Sequence, residues 1–353
     1  MAQNEFPELR EDDVVLDDLP DSLLASLEVR KRFLKSLPPD SGGLEFNVQD
    51  LQRWRPGGTV KVAFLGGSSD LHREIAEAAG AIVEACNITL DFGEDEQTGT
   101  FRTWSESDDE YQADIRVSFD KSGFWSLVGT DSIDPLIGSP SGDVGGRPFQ
   151  RSLNLGGFTV RRPLNWRGVV RHEFLHAMAF SHEHQNLRGP CSEAFRWEDD
   201  FGYEPTQDNN GRFITDSQGR RPGIYTYLAG FPNGWSRAKV DHNLRTEEDT
   251  GAVVGPFDAA SVMLYRFPAL FYRTEDSPCA PTGDGIELSD GDIRGLRLLY
   301  GDRPEDLDNF IERNRDLARA IEAASPPSSL ESAGGGSSYA ESAMKRIDNI
   351  LNE

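Results

Sequence analysis

One stretch of twelve residues, Arg171-His-Glu-Phe-Leu-His-Ala-Met-Ala-Phe-Ser-His182, constrains this chain more than any other. Four of the six histidines, counting His184, fall within thirteen residues. On an α-helix, positions i and i+4 differ by only about 40° around the axis, so His172 and His176 face one point. Two imidazoles aimed at one point begin a metal site, and the third donor must come from beyond the helix end. His182 stands at the required offset. Three imidazole ligands leave one position of a tetrahedral zinc open to water. Glu173, next to His172, projects beside the ion rather than onto it. There it can take a proton from the activated water and later pass it to a leaving amine. The pattern therefore predicts Zn2+ held by His172, His176 and His182, with Glu173 as general base. His184 lies one turn too late for the ligand set and is read as solvent-facing, and His72 and His242 are read as surface residues.

The rest of the chain predicts an α+β fold. Thr59 to Leu65 alternates like a half-buried strand and ends at Gly66-Gly67. Asp70 can cap a following helix whose Ile75, Ala79, Ile82 and Ala85 recur at helical spacing. Ile88 to Phe92, Asp114 to Phe119, Trp125 to Val128 and Ser152 to Leu155 read as further strands. Residues 129 to 150, rich in Gly, Pro, Ser and Asp, read as a surface loop. Asn165 is a cap candidate for a helix from Trp166 to about Phe180, and Leu288-Ser289 starts another that carries Ile293, Leu296, Leu299 and Tyr300 inward. Long loops are expected between 185 and 260. The expected organisation is an acidic N-terminal segment at 1–45 with an amphipathic patch from Leu23 to Leu37, and a main domain at 46–302. A charged helix follows at 303–324, then a Ser/Pro/Gly linker at 325–338 and a short helix at 339–353.

A formal net charge of −24 repels phosphate backbones, so no nucleic-acid partner is expected. No window is apolar enough for a membrane helix, so no membrane partner is expected either. Met1 to Asp18 has neither the basic nor the apolar part of a classical secretory signal, which leaves a cytoplasmic chain or one exported by a non-classical route. The three cysteines permit at most one internal disulfide. Cys86 reads as a small buried hydrophobe, while Cys191 and Cys279 can pair if the geometry allows. Asp108-Asp109-Glu110 and Asp199-Asp200 read as solvated loops rather than calcium sites. Nucleophile-elbow, phosphate-loop and dinucleotide-binding patterns are absent from the sequence.

The histidine stretch resembles the extended zinc signature of metzincin peptidases, specifically the astacin-like branch and its bacterial and fungal relatives. That signature runs His-Glu-x-x-His-x-x-Gly-x-x-His and is usually followed by Glu, here Glu183. Ser261-Val-Met-Leu-Tyr265 is similar to the Ser-x-Met-x-Tyr methionine turn of the same branch. The resemblance covers about residues 52 to 301. It implies that Met263 is the apolar floor under the ligands and that Tyr265 donates a hydrogen bond to the oxyanion. It further implies that Trp125, Ser126, Leu127 and Val128 form an edge strand that pairs antiparallel with an extended substrate. The implied architecture is a metzincin-type zinc peptidase domain cut by a cleft. A mixed twisted sheet and the active-site helix would lie above it, with a loop-rich subdomain, the methionine turn and a closing helix below.

Three departures bear on that resemblance. Ala179 stands where the family has glycine, and a positive φ there would cost about 1 kcal/mol, up to roughly 2. Leu264 replaces a histidine common in the turn. No Phe-x-Gly-Asp inhibitory segment precedes the domain. The expected activity is zinc-dependent hydrolysis of peptide bonds in extended protein segments, by a monomer. The competing expectations are a zinc-binding interaction module with little or no activity, and a latent protease held closed by its N-terminal segment.

Overall fold

A computed structural model of the chain describes residues 19–35, 51–246, 255–324 and 336–352. Helix α1 spans Asp21–Lys35, and the polypeptide then enters a five-stranded sheet. In β1, Thr59–Phe64, Val60 and Val62 are buried while Thr59 and Lys61 stay exposed, the period-2 pattern of a half-buried strand. The other strands are β2 (Thr89–Asp91), β3 (Ile115–Ser118), β4 (Phe124–Ser126) and β5 (Leu153–Leu155), in the spatial order β2-β1-β3-β5-β4. The β1–β2, β1–β3 and β3–β5 pairs are parallel, and β4 runs antiparallel along β5, with Trp125 opposite Asn154. The expected strand from Trp125 to Val128 is thus an edge strand, but it starts one residue earlier and stops at Ser126.

Helix α2, Ser69–Ala85, connects β1 to β2. Its cap is Ser68, whose Oγ accepts the Leu71 N–H at 3.3 Å, and Asp70 sits in the first turn instead of capping it. Ile75, Ala79 and Ile82 turn inward against helix α3, Trp166–Ala177, which contributes Val170 and Phe174. His72 is not a surface residue. Its ring stacks on Phe64 with centroids 4.0 Å apart, and Nε2 bonds the Gly66 carbonyl at 2.8 Å. The i, i+3, i+7 row that buries Ile75, Ala79 and Ile82 carries His72 with it.

Helix α3 stops three residues short of the expected Phe180, and the reason is local. Ala179 lies in the left-handed region at φ 66°. The Ala179 N–H then reaches the His176 carbonyl at 2.9 Å and the Phe180 N–H reaches Leu175 at 3.0 Å, the paired bonds of a Schellman stop. Asn165 precedes the helix but makes no side-chain cap.

Residues 129–150 are not a surface loop. Gly129 to Ser132, Asp134, Ile137 and Gln150 are buried, and the Arg116 guanidinium threads between their carbonyls. Arg116 Nε donates to Gln150 O at 2.7 Å, and its terminal nitrogens reach Gly145 O at 3.2 Å and Ser132 O. A Gly- and Pro-rich segment is tolerated inside because one buried cation satisfies carbonyls that no strand ladder would.

Below α3 the chain has little regular structure. Helices α4 (Cys191–Ala194), α5 (Ile224–Ala229) and α6 (Arg237–Leu244) surround an aromatic cluster of Phe195, Trp197, Trp235, Tyr265, Phe267 and Phe271. A small hairpin pairs β6 (Thr206–Gln207) with β7 (Phe213–Ile214). Cys191 and Cys279 are disulfide-bonded inside that cluster, with Cα atoms 4.9 Å apart. Cys86, just after α2, is a free thiol that is only partly buried, and burial pushes its pKa up to about 11. Helix α7, Asp290–Leu299, opens on a capping box of Ser289 and Asp292 and buries Leu296 and Leu299. Ile293 is only partly covered.

The terminal helices dock on this body. Leu23 of α1, with Leu24 and Leu27 beside it, packs on Trp125 and Leu127 of the edge-strand region, and the α1 residue Arg30 pairs with buried Asp131. Helices α8 (Pro304–Ala324) and α9 (Gly336–Asn352) join through Leu317, Ile321, Ala340, Ala343 and Ile347 over Leu51. Helix α9 starts three residues inside the stretch expected as linker. The remainder of that stretch, together with residues 1–18 and 36–50, lies outside the described residues. Among the described residues, no helix is long and apolar enough to cross a membrane.

Candidate metal centre

The left-handed stop at Ala179 bends the chain back, and this brings His182 to the two helical histidines. His172, His176 and His182 are all buried, and their nearest ligand atoms lie within 4.8 Å of one another. His176 Nε2 and His182 Nε2 are 3.0 Å apart. Among the described residues this is the group of donors arranged to hold a metal ion.

The rings are oriented from behind. His172 Nδ1 bonds the Val262 carbonyl at 2.8 Å, and His176 Nδ1 bonds the Phe180 carbonyl at 2.7 Å. A carbonyl only accepts, so both Nδ1 atoms carry the proton and each Nε2 keeps its lone pair for a metal. His182 Nδ1 faces Gln185 Oε1 at 3.4 Å, and Gln185 is itself anchored through its Nε2 to the His242 carbonyl at 2.9 Å. Nitrogens about 2.1 Å from a tetrahedral zinc sit about 3.4 Å from each other, so the donor set fits such an ion after small movements. Glu173 is buried beside His172 on the same helix.

Of the two residues expected in the methionine turn, Tyr265 packs against the histidine rings. Tyr265 lies with its ring centroid 4.5 Å from that of His182 and 5.4 Å from that of His172. Met263 is buried in the sheet-side core, and its carbonyl accepts the Glu183 N–H at 3.0 Å. Glu183 turns away from the histidines. Its Oε1 accepts the Asp258 N–H at 2.8 Å and the Asn186 side-chain amide at 2.9 Å. Burial drives its carboxyl pKa up to about 7 against the pull of those two bonds, with the charges of Asp258 and Asp292 adding to the rise.

The reading of His184 is corrected by the structure. Its ring is fully buried and packs against both His182 and Tyr265, with centroids 4.9 Å from each, while Nε2 bonds the Asn243 carbonyl at 2.8 Å. No spacing rule marks it, because its partners come from α6 and the methionine turn, 59 and 81 residues away by the numbering. The expected substrate strand is adjacent to α3, but Trp125 and Leu127 are covered by α1, Ser126 is buried, and Val128 is partly covered. His242 is half-buried rather than exposed, with Glu28 and Lys31 of α1 near it, and burial lowers its pKa.

No protein-family model and no curated protein matches the chain. Among solved structures, the chain is similar to one of myroilysin, with 24% identity over 71% of this chain and 97% of that one, and a TM-score of 0.49. A second, crystal structure of myroilysin shows 21% identity over 71% and 86%, with a TM-score of 0.41. High choriolytic enzyme 1, a hatching enzyme zinc-protease from the medaka fish Oryzias latipes, shows 18% identity over 71% and 96%, with a TM-score of 0.39.

Proposed function

We propose that the chain is a zinc-dependent endopeptidase that hydrolyses peptide bonds in extended protein segments. The observation that carries this reading is the convergence of His172, His176 and His182 with Glu173 alongside on the same helix. When bound by those three histidines, zinc supplies Lewis acidity, which polarises a carbonyl and makes water easier to deprotonate near neutral pH. Glu173 takes a proton as the water oxygen attacks the peptide carbonyl carbon, and returns it to the amine nitrogen as the C–N bond breaks. Tyr265, its ring packed at a tilt against His182, donates its hydroxyl hydrogen bond to the oxyanion. The edge strand β4 offers backbone groups to an extended peptide, which favours a protein or peptide over a small amide.

The reading takes the chain as a monomer, and the −24 charge argues against nucleic acid as a partner. The Cys191–Cys279 bond favours export over a reducing cytoplasm. The test is Glu173→Ala in a zinc-loaded sample assayed on a denatured protein. Cleavage should fall by a factor of at least about 10², and undiminished cleavage would overturn the mechanism.

A second reading, latency, is favoured by α1. It covers Trp125 and Leu127 on the sheet side and reaches across to α6, where Asp21 lies 3.6 Å from Lys239. Nicking the chain between 35 and 51 should then raise activity, whereas unchanged activity in the nicked protein would argue against latency.

A further inference from the structure

We infer that Asp292, on the closing helix α7, is a positioning residue for the metal centre and acts through the methionine turn. The inference rests on the three-histidine reading above and adds to it a residue that touches neither metal nor substrate.

Asp292 occupies the third position of α7 and is buried. Part of its work is local. Its Oδ2 accepts the Ser289 N–H at 2.9 Å while its own N–H donates to Ser289 Oγ at 3.0 Å, which completes the capping box. A capping box needs only one carboxylate oxygen. Here the remaining capacity is directed at the methionine turn: Oδ1 accepts the Ser261 hydroxyl at 2.5 Å and Oδ2 also accepts the Val262 N–H at 3.1 Å. Ser261 Oγ in turn accepts the Met263 N–H at 3.0 Å. One buried carboxylate thus fixes the backbone of the turn at consecutive residues, directly at Val262 and through Ser261 at Met263.

The same two residues face the histidines with their carbonyls. Val262 O receives His172 Nδ1 at 2.8 Å, and Met263 O receives the N–H of Glu183, the residue after His182, at 3.0 Å. Asp292 therefore sets, through the turn, the ring of one ligand and the backbone next to another. An anion accepting several hydrogen bonds in a dry site holds its partners more stiffly than a neutral group would. Loss of an outer partner of a metal ligand typically weakens metal affinity by about 10–100-fold.

The test compares zinc affinity, read by competition with a chromophoric chelator, and the Tm of the metal-free full chain. Asp292→Ala breaks both the cap and the hold on the turn, while Ser289→Ala breaks the cap and leaves the turn contacts. Both should lower Tm, but only Asp292→Ala should raise the zinc Kd by about tenfold or more. Ser261→Ala keeps the capping box and should raise the Kd by less, in the same direction, so the inference stays testable if Asp292→Ala folds poorly. Wild-type zinc affinity in Asp292→Ala and Ser261→Ala, or an equal loss in Ser289→Ala, would overturn the inference. Tight zinc binding by a wild-type chain that cleaves nothing would sink the peptidase reading and leave this inference standing. A wild-type chain that takes up no zinc would overturn both.

Discussion

Above α3, Val60, Val62, Ile115 and Val117 from the strands meet Ile75, Ile82, Val170 and Phe174 from two helices. Below it, Phe195, Trp197, Trp235, Phe267 and Phe271 gather with almost no strand or long helix to align them, closed instead by the Cys191–Cys279 bond. Cation–π contacts rim the lower cluster, such as Arg245 over Trp197 at 3.8 Å and Arg237 over Tyr225 at 3.6 Å. The methionine turn bridges the two, since Val262 and Met263 belong to the upper core and Leu264 and Tyr265 to the lower. The ligands divide in the same way: His172 and His176 come from α3, and His182 follows the bend that leads down. A site built at this seam draws on a layered half aligned by strands and helices and on a looped half held by aromatic packing and a disulfide.

The largest break in that comparison should come from the disulfide. It closes a loop over a sequence separation of 88, so Cys191→Ser with Cys279→Ser should cost about 4.6 kcal/mol on chain-entropy grounds. Amide hydrogen exchange should show the loss in residues 191–279 while β1, β3, α2 and α3 keep their protection. A uniform loss would mean that the two halves are one cooperative unit.

A smaller effect of opposite sign should come from the bend between them. Ala179→Gly removes a side chain held at φ 66° and should stabilise the chain by about 0.5–1 kcal/mol, after the added backbone entropy of glycine is subtracted. A shift of the denaturant midpoint reads it, and a destabilised variant would show that the alanine methyl packs better than the backbone suffers.

The smallest effect is a difference in acid response. Burial lowers the pKa of His72, with the Gly66 carbonyl pulling the other way. The folded upper half therefore prefers the neutral ring, and its contribution is complete above about pH 6.5, then declines as the pH falls to the lowered folded value. In the lower half, burial would raise Asp216, but hydrogen bonds from the Arg220 and Glu204 amides, the Arg220 side chain and the Gln218 amide outweigh it and hold the carboxyl at about 2. Its contribution is complete above about pH 4 and is lost as the pH falls through about 2. Exchange measured against pH should loosen α2 around His72 before the Asp216 segment, and His72→Phe, which keeps the stack on Phe64, should delete that first step.

Periodicity exposed β1, α2 and the core of α3 because each packs one face against a layer, and a repeat of two or 3.6 residues records which face. The 129–150 segment carries no repeat, so its burial around Arg116 could not be read from its glycines and prolines. The histidine spacing exposed the ligand set because helix geometry translates spacing into direction. His184 escaped that logic, since its burial depends on Asn243 and Tyr265, which reach it only through the folded chain.

On its own, the sequence determined that His172, His176 and Glu173 would share a helix and that His182 would follow a bend, since backbone geometry over a dozen residues is local. It permitted the Cys191–Cys279 pairing without requiring it. Only the tertiary structure decided that pairing, the cover of α1 over Trp125 and Leu127, and the hold of Asp292 on the methionine turn. Those contacts join residues from 30 to more than 100 positions apart, and the chain entropy each must overcome is met only when the whole core forms at once.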